Sequence, residues 1–308
     1  MPNQGRVFLA PDMEVYDMRR KIIQLAGKTL VVSLPSDWVK ELGLKKGQEV
    51  EVSRVGRSMV IEQPSVERGH IVKVDLSGLN ASLVWHSIIS HYVAGAGEIQ
   101  AGFSKERVMD PRTGLDVHCA DAIEKVVENL IGMEIVRQSK SMITIREISS
   151  VAPEEYDNVM RRVWLTCLGM VEDGSDALAK GDSEGFKAAV RVEKNVNRLV
   201  LYALRMLNRG VASNVSAALV DARVLHSLEG FADVIASCAK SSDKDCLSGS
   251  AKVLRSAYDY WFKPSNESAD AMYNALMVLR KKKGSSQSLV AAAESVVEAV
   301  APAHVLGR

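Results

Sequence analysis

The sequence predicts a multidomain α+β protein, with a small β domain at the N-terminus, a small central α/β domain and a C-terminal all-α helical bundle. Three observations carry that expectation. Short β-branched runs punctuated by Gly and Pro fill residues 19–64, strand and helix patterns alternate over 65–150, and apolar residues recur at steps of three and four through 151–308. Length agrees, because 308 residues exceed what one hydrophobic core usually organises, about 250–300 at most. Composition agrees too: 47% hydrophobic with 25% charged residues belongs to a folded chain rather than a disordered one.

Charge and cysteine usage narrow the function classes. A formal net charge of +1 excludes a protein coated in basic residues, so any nucleic-acid site has to be a local patch. Cys119, Cys167, Cys238 and Cys246 form no CxxC pair, which signals neither a zinc site nor a disulfide framework and fits a reducing cytoplasm. Residues 1–18, an N-terminal arm, lack the apolar core of a secretory leader, and no later stretch reaches the roughly 18 uninterrupted apolar residues of a membrane span. The expected location is cytoplasmic, with no membrane insertion.

In residues 19–64, "KTLVVSL" has the β-branched, compact character of a strand. Pro35 ends it, and Ser36 or Asp37 can accept hydrogen bonds from the free amides of a short helix, "DWVKELG". Gly43 stops that helix, since a residue without Cβ takes a left-handed turn freely. "LKKGQEVEVSRVGRSMVIEQ" then supplies two strands, with Gly47 and Gly56 in their turns. A unit this small cannot bury its own apolar strands, because chains near or below about 40 residues usually need oligomerisation, metals or disulfides. Two interleaved copies would supply the missing core.

Leu34-Pro35, Val39-Lys40, Leu42-Gly43-Leu44, Lys46-Gly47 and Val50-Glu51-Val52, in order and without gaps, resemble the SpoVT/AbrB family of swapped-hairpin DNA-binding domains. The resemblance implies a domain-swapped homodimer that grips DNA with basic residues near its first strand and loops. "RRKIIQLAGK" holds Arg19, Arg20, Lys21 and Lys28 with no acidic residue between them, and Arg54 and Arg57 in the later hairpin can extend the patch. Gln24 and Thr29 are candidates for base edges, although their hydrogen-bonding groups serve phosphates equally. If roughly six to eight charges of a dimer met phosphates, affinity would fall about three orders of magnitude between low and moderately high salt. The alternative is an ordinary solvated basic patch.

Residues 65–150 read as one small α/β domain: strand "HIVKVDL", helix "ASLVWHSIISHYVAG", strand "GEIQAGF", helix "DAIEKVVENLIG", and strands "MEIVRQ" and "SMITIREI". His86 and His91 lie five apart and do not share a helix face, so each is a packing or surface residue before it is a ligand. No phosphate loop, GxSxG elbow or Cys/His nucleophile pair occurs, and no enzymatic activity is expected.

From 151 onward helices are broken at "KGDS", "NRGVASN", "SSDKD", "KPSN" and "KKGSS". Met160, Val163, Cys167 and Met170 form one seam, and Val224, Leu228, Phe231, Ile235 and Cys238 another, as in antiparallel helices of a bundle. In "FKAAVRVEKNVNRLVLYALRML" the seam Phe186, Val190, Glu193, Asn197, Val200, Leu204, Leu207 puts Glu193 and Asn197 on the core face of one continuous helix. Glu229 and Asp233 stand four apart on a neighbouring helix. Carboxylates converging from two helices are what a hard or transition cation needs. Solvated acidic faces are the alternative.

"SLEGFADVIASCA", with Glu229, Ala232 and Asp233, resembles the Glu-x-x-Ala-Asp signature of PhoU-like helical bundles, and "VEKNVNRLVLYAL" is similar to their preceding helix. That resemblance implies a divalent or iron-type metal held by Glu193, Asn197, Glu229 and Asp233, and a role in phosphate uptake. Asn197 departs from the pattern, which has an aspartate there, and Gly230 replaces the arginine that usually follows the first glutamate. Asp270 with Asn274, and Glu294 with Glu298, repeat the four-residue spacing, as a diverged three-helix repeat would.

The order of parts resembles archaeal phosphate uptake regulators, which implies a dimeric DNA-binding transcriptional regulator with a sensing or docking bundle. An accessory protein that dimerises through the hairpin and docks on a phosphate transporter ATPase or a signalling protein is one alternative; a metal-dependent enzyme built on the bundle carboxylates is another.

Overall fold

The computed structural model describes residues 19–25, 27–41, 43–55, 58–62, 70–149, 152–212, 214–237, 244–281 and 286–304. The chain divides into two compact units, one of residues 1–53 and 60–64, the other of residues 54–59 and 65–308.

In the N-terminal region β1 (Ile23–Leu25) pairs antiparallel with β2 (Thr29–Val31), Leu25 opposite Thr29, through a turn in which Gly27 has φ 89°. α1 (Ser36–Glu41) begins on the Pro35 carbonyl, which accepts from the Val39 amide at 3.0 Å. Ser36 and Asp37 therefore stand inside the first turn, where the Asp37 charge complements the helix dipole. Gly43, φ 62°, ends the helix as expected, letting the Leu44 amide reach the Val39 carbonyl at 2.9 Å. β3 (Glu51–Val55) and β4 (Ser58–Glu62) form a second two-stranded sheet. Gly56 lies outside the described residues.

The second unit opens with β5 (Ile71–Asp75), α2 (Ala81–Val93), β6 (Glu98–Gly102), β7 (Arg107–Asp110), β8 (Leu115–His118), α3 (Cys119–Val127), β9 (Met133–Gln138) and β10 (Met142–Glu147). The sheet order is β5-β6-β10-β9, parallel between β5 and β6 and antiparallel elsewhere. Alternation along the strands sends Ile99, Ala101, Ile143 and Ile145 into one core with Val84, Ile88 and Tyr92 of α2 and Ile123 and Val126 of α3. Asn80 caps α2 by accepting from the Leu83 amide at 3.0 Å. The β7–β8 hairpin is an addition to the six expected elements.

The rest is helical: α4 (Tyr156–Lys180), α5 (Ser183–Val190), α6 (Glu193–Asn208), α7 (Val215–Ser237), α8 (Lys244–Phe262), α9 (Asn266–Lys281) and α10 (Gln287–Val300). α4, α6 and α7 pack on one another, as do α8, α9 and α10, and the two trios join through α4 against α8 and α7 against α10. Met160, Val163, Cys167 and Met170 are buried, as are Val224, Leu228, Phe231 and Ile235, each worth roughly 1.5–3 kcal/mol for the large side chains. Cys238 lies outside the described residues. Among the described residues no helix is long and apolar enough to cross a membrane.

One expected helix is two. The chain breaks at Arg191–Val192, so α5 ends at Val190 and α6 begins at Glu193. Glu193 is then a first-turn residue at a helix start, half-buried, instead of a carboxylate in the middle of a core-facing seam.

Candidate nucleic-acid interface and carboxylate cluster

The basic run sits at the start of the first hairpin. Arg19, Arg20, Lys21 and Lys28 are all exposed, with Lys28 in the β1–β2 turn. Partners in an antiparallel pair share a face, so Leu25 and Thr29 lie on one side of the hairpin, whereas Gln24, opposite Leu30, lies on the other. A single hairpin face cannot present both Gln24 and Thr29. Gln24 also turns inward, its Nε2 donating to the Gly27 carbonyl at 2.5 Å, which braces the turn that carries Lys28. Arg54 belongs to β3, and Arg57 lies outside the described residues.

The same hairpins leave apolar side chains in water. Ile22 is 70% exposed, Leu30 65% and Met59 71%, and Ile23, Leu25, Val32 and Val52 are also exposed. Among the described residues of this region no apolar side chain is fully buried. Several exposed aliphatic side chains within so few residues are a feature of interaction surfaces.

Residues 23–68 match the family model of the antidote-toxin recognition protein MazE, a bacterial antitoxin. The matched stretch runs through both hairpins and α1, and places a domain of the MazE/SpoVT-AbrB type at the N-terminus. Such a domain fits a DNA-binding regulator or an antitoxin-type function. No curated protein and no solved structure matches the chain.

In the helical part Glu193, Asn197 and Asp233 do meet. Asn197 donates its amide to Glu193 Oε1, and Asp233 stands near enough to both to interact with them. Desolvation raises the pKa of both; the charge of Asp233 raises Glu193 further, and that of Glu229 raises Asp233. Glu229 turns to His226, whose Nδ1 lies 3.5 Å from its Oε2.

Glu193 Oε1 is taken up by the Asn197 amide. Among the described residues no group of three or more His, Cys, Asp or Glu is placed to share an ion. Asn197 Oδ1 is left buried with no hydrogen-bond partner.

The second set of acidic pairs has other partners. Glu294 pairs with Arg280 and Glu298 with Arg223, while Asp270 and Asn274 are exposed on α9. His86 is exposed and His91 half-buried on α2, with no shared face.

Sequence reasoning missed Arg205. It is 1% exposed, donates to the Tyr92 carbonyl at 2.6 Å, stands over the Tyr92 ring at 4.7 Å and lies 3.3 Å from Glu147. Arg209 grips the same carboxylate at 2.9 and 2.7 Å. This clamp fastens the end of α6 to α2 and β10. No local pattern announces it, because the arginines and the glutamate are distant in sequence.

Proposed function

We propose that the chain is a DNA-binding transcriptional regulator that works as a homodimer through its N-terminal domain, with the helical part as a sensing or docking module. The observation that carries this reading is the coincidence of exposed apolar hairpins, which call for a second copy, with an exposed basic run on the same short segment. Pairing two chains doubles the local positive charge on a protein whose net charge is only +1. Regulation of phosphate uptake is the specific role proposed, and it rests on the resemblance of α6 and α7 to PhoU-like bundles.

The test is binding of the purified protein to genomic DNA fragments at several salt concentrations, wild type beside Arg20→Ala/Lys21→Ala. The expected result is tight binding whose logarithm falls linearly with the logarithm of salt, about 0.9 per phosphate contacted, with a shallower slope and weaker binding in the double variant. Binding indifferent to the substitutions would remove the proposal. Adding inorganic phosphate tests the specific role: unchanged DNA affinity would remove phosphate as the direct effector.

The description of the matched family favours a second reading, in which the dimer recognises a protein partner as an antitoxin does. That reading expects a folded dimer without salt-dependent DNA binding.

A further inference from the structure

At the carboxyl ends of the parallel strands β5 and β6 the second unit contains a cavity of about 520 Å³. Small-molecule pockets span about 300–1,000 Å³, and in sheets with parallel strands ligands gather beyond the carboxyl ends of those strands. The cavity is bounded by the turn from β5 into α2, by the segment after β6 and by the β7–β8 hairpin.

Its walls divide into an apolar and a cationic part. Leu79, Phe103 and Val108 contribute apolar surface, and Leu83 and Met109 stand at it 48% and 45% exposed. Their neighbours Val84 and Ile88 are buried. Lys105 and Arg107 supply two positive charges to the wall, against the single carboxylate of Asp116. Arg107 is braced where it stands: its Nη2 donates to the Asp116 carbonyl at 2.5 Å and its Nη1 lies 3.2 Å from His118 Nε2. A guanidinium already oriented by two contacts loses little freedom on meeting an anion. Gly78, φ 79°, borders open space, so the backbone of the β5–α2 turn is bare beside the cavity.

We infer that this cavity is a binding site for a small organic anion, with a phosphate or carboxylate against Lys105 and Arg107 and an apolar body against Leu83, Phe103 and Met109. The site is independent of the DNA-binding reading and gives the central domain a ligand-binding role.

The experiment titrates the full-length protein with four probes by calorimetry: phenyl phosphate, benzoate, inorganic phosphate and benzyl alcohol. Hydrogen exchange at saturation locates the protection. The expected result is saturable binding of phenyl phosphate, benzoate or both, with a Kd of about 1 mM or tighter, at least about fivefold tighter than the head group or the apolar body alone. Protection covers residues 76–83 and 103–109. Lys105→Ala weakens binding at least about fivefold. Lys140→Ala, at a smaller neighbouring cavity of about 300 Å³, leaves it unchanged. Lys105 is exposed, so its removal leaves the fold intact, which circular dichroism verifies. Preference for phenyl phosphate over benzoate identifies the ligand class as phosphorylated, and the reverse as carboxylated. No saturable binding of either anion, protection elsewhere, or equal sensitivity to Lys105→Ala and Lys140→Ala would overturn the inference.

Discussion

Glu147 is the residue on which two arginines depend, and its neighbourhood shows how burial changes the worth of an ion pair. Its side chain is 10% exposed, Arg205 is 1% exposed, and removing the carboxylate would leave a buried guanidinium with a carbonyl and a ring but no counter-charge. Glu147→Ala is expected to destabilise the protein by about 3 kcal/mol or more in urea denaturation. Glu298→Ala, which breaks an exposed pair with Arg223, is expected to cost less than about 1 kcal/mol. Glu193 and Asp233 give a prediction of opposite sign. Their folded pKa values are raised above the unfolded ones, so ionisation opposes folding: the penalty is absent below the unfolded pKa and complete above the folded one. Glu193→Gln, which keeps a hydrogen-bonding side chain, should raise Tm at pH 7, and the gain should vanish by about pH 3. An equal gain at both pH values would show that the charge is not the cause. The meeting of these acids was legible from their four-residue spacings. That Asn197 gives its amide to Glu193 was not, because a spacing places residues on a face and says nothing of which atoms they choose.

At the scale of elements, legibility followed turn chemistry. Among the described residues the expected helix breaks at KGDS, NRGVASN and KPSN occur, and each contains Gly or Pro: Gly181 ends α4 at φ 71°, and Asp182 caps α5 by accepting from the Gly185 amide at 2.9 Å. The break at Arg191–Val192 contains neither Gly nor Pro, and the apolar seam runs through it in phase, so no local signal separates α5 from α6. The β7–β8 hairpin did carry one. Asp110, Pro111 and Gly114 form its turn, Asp110 accepting from the Arg112 amide at 2.9 Å and Gly114 standing at φ 69°. Its strands were hidden by brevity, four residues each. Two glycines test the backbone argument. Gly114 has positive φ with nothing within 4 Å of an added Cβ, whereas at Gly132, φ 82°, that atom would lie 2.3 Å from the Ser149 carbonyl oxygen. Gly114→Ala is expected to cost about 1–2 kcal/mol, the price of left-handed backbone alone. Gly132→Ala must also displace backbone, and its loss in urea denaturation should exceed that of Gly114→Ala by at least about 1 kcal/mol.

At the scale of the molecule, the two units differ in how they acquire a core. The second is self-sufficient, with Trp164, Phe231, Ile123 and Ile145 all fully buried within one chain. The hairpin region has no fully buried apolar side chain among its described residues, so under the proposed dimer its stability is expected to depend on protein concentration. Leu30 separates the two possibilities. At 65% exposure in the single chain, Leu30→Glu would change the stability of a monomer by no more than about 0.5 kcal/mol. In a dimer it would bury a carboxylate at the interface between copies, which costs several kcal/mol if unpaired, about enough to dissociate a micromolar complex at working concentrations. Sedimentation velocity should show the wild type as a dimer and Leu30→Glu as a monomer with unchanged helical circular dichroism. If DNA is gripped by both copies, the monomer keeps half the phosphate contacts, and the slope of log affinity against log salt should fall to about half. A variant that remains dimeric, or a monomer that keeps the full slope, would mean that the exposed hairpins are not what joins two chains into one DNA-binding surface.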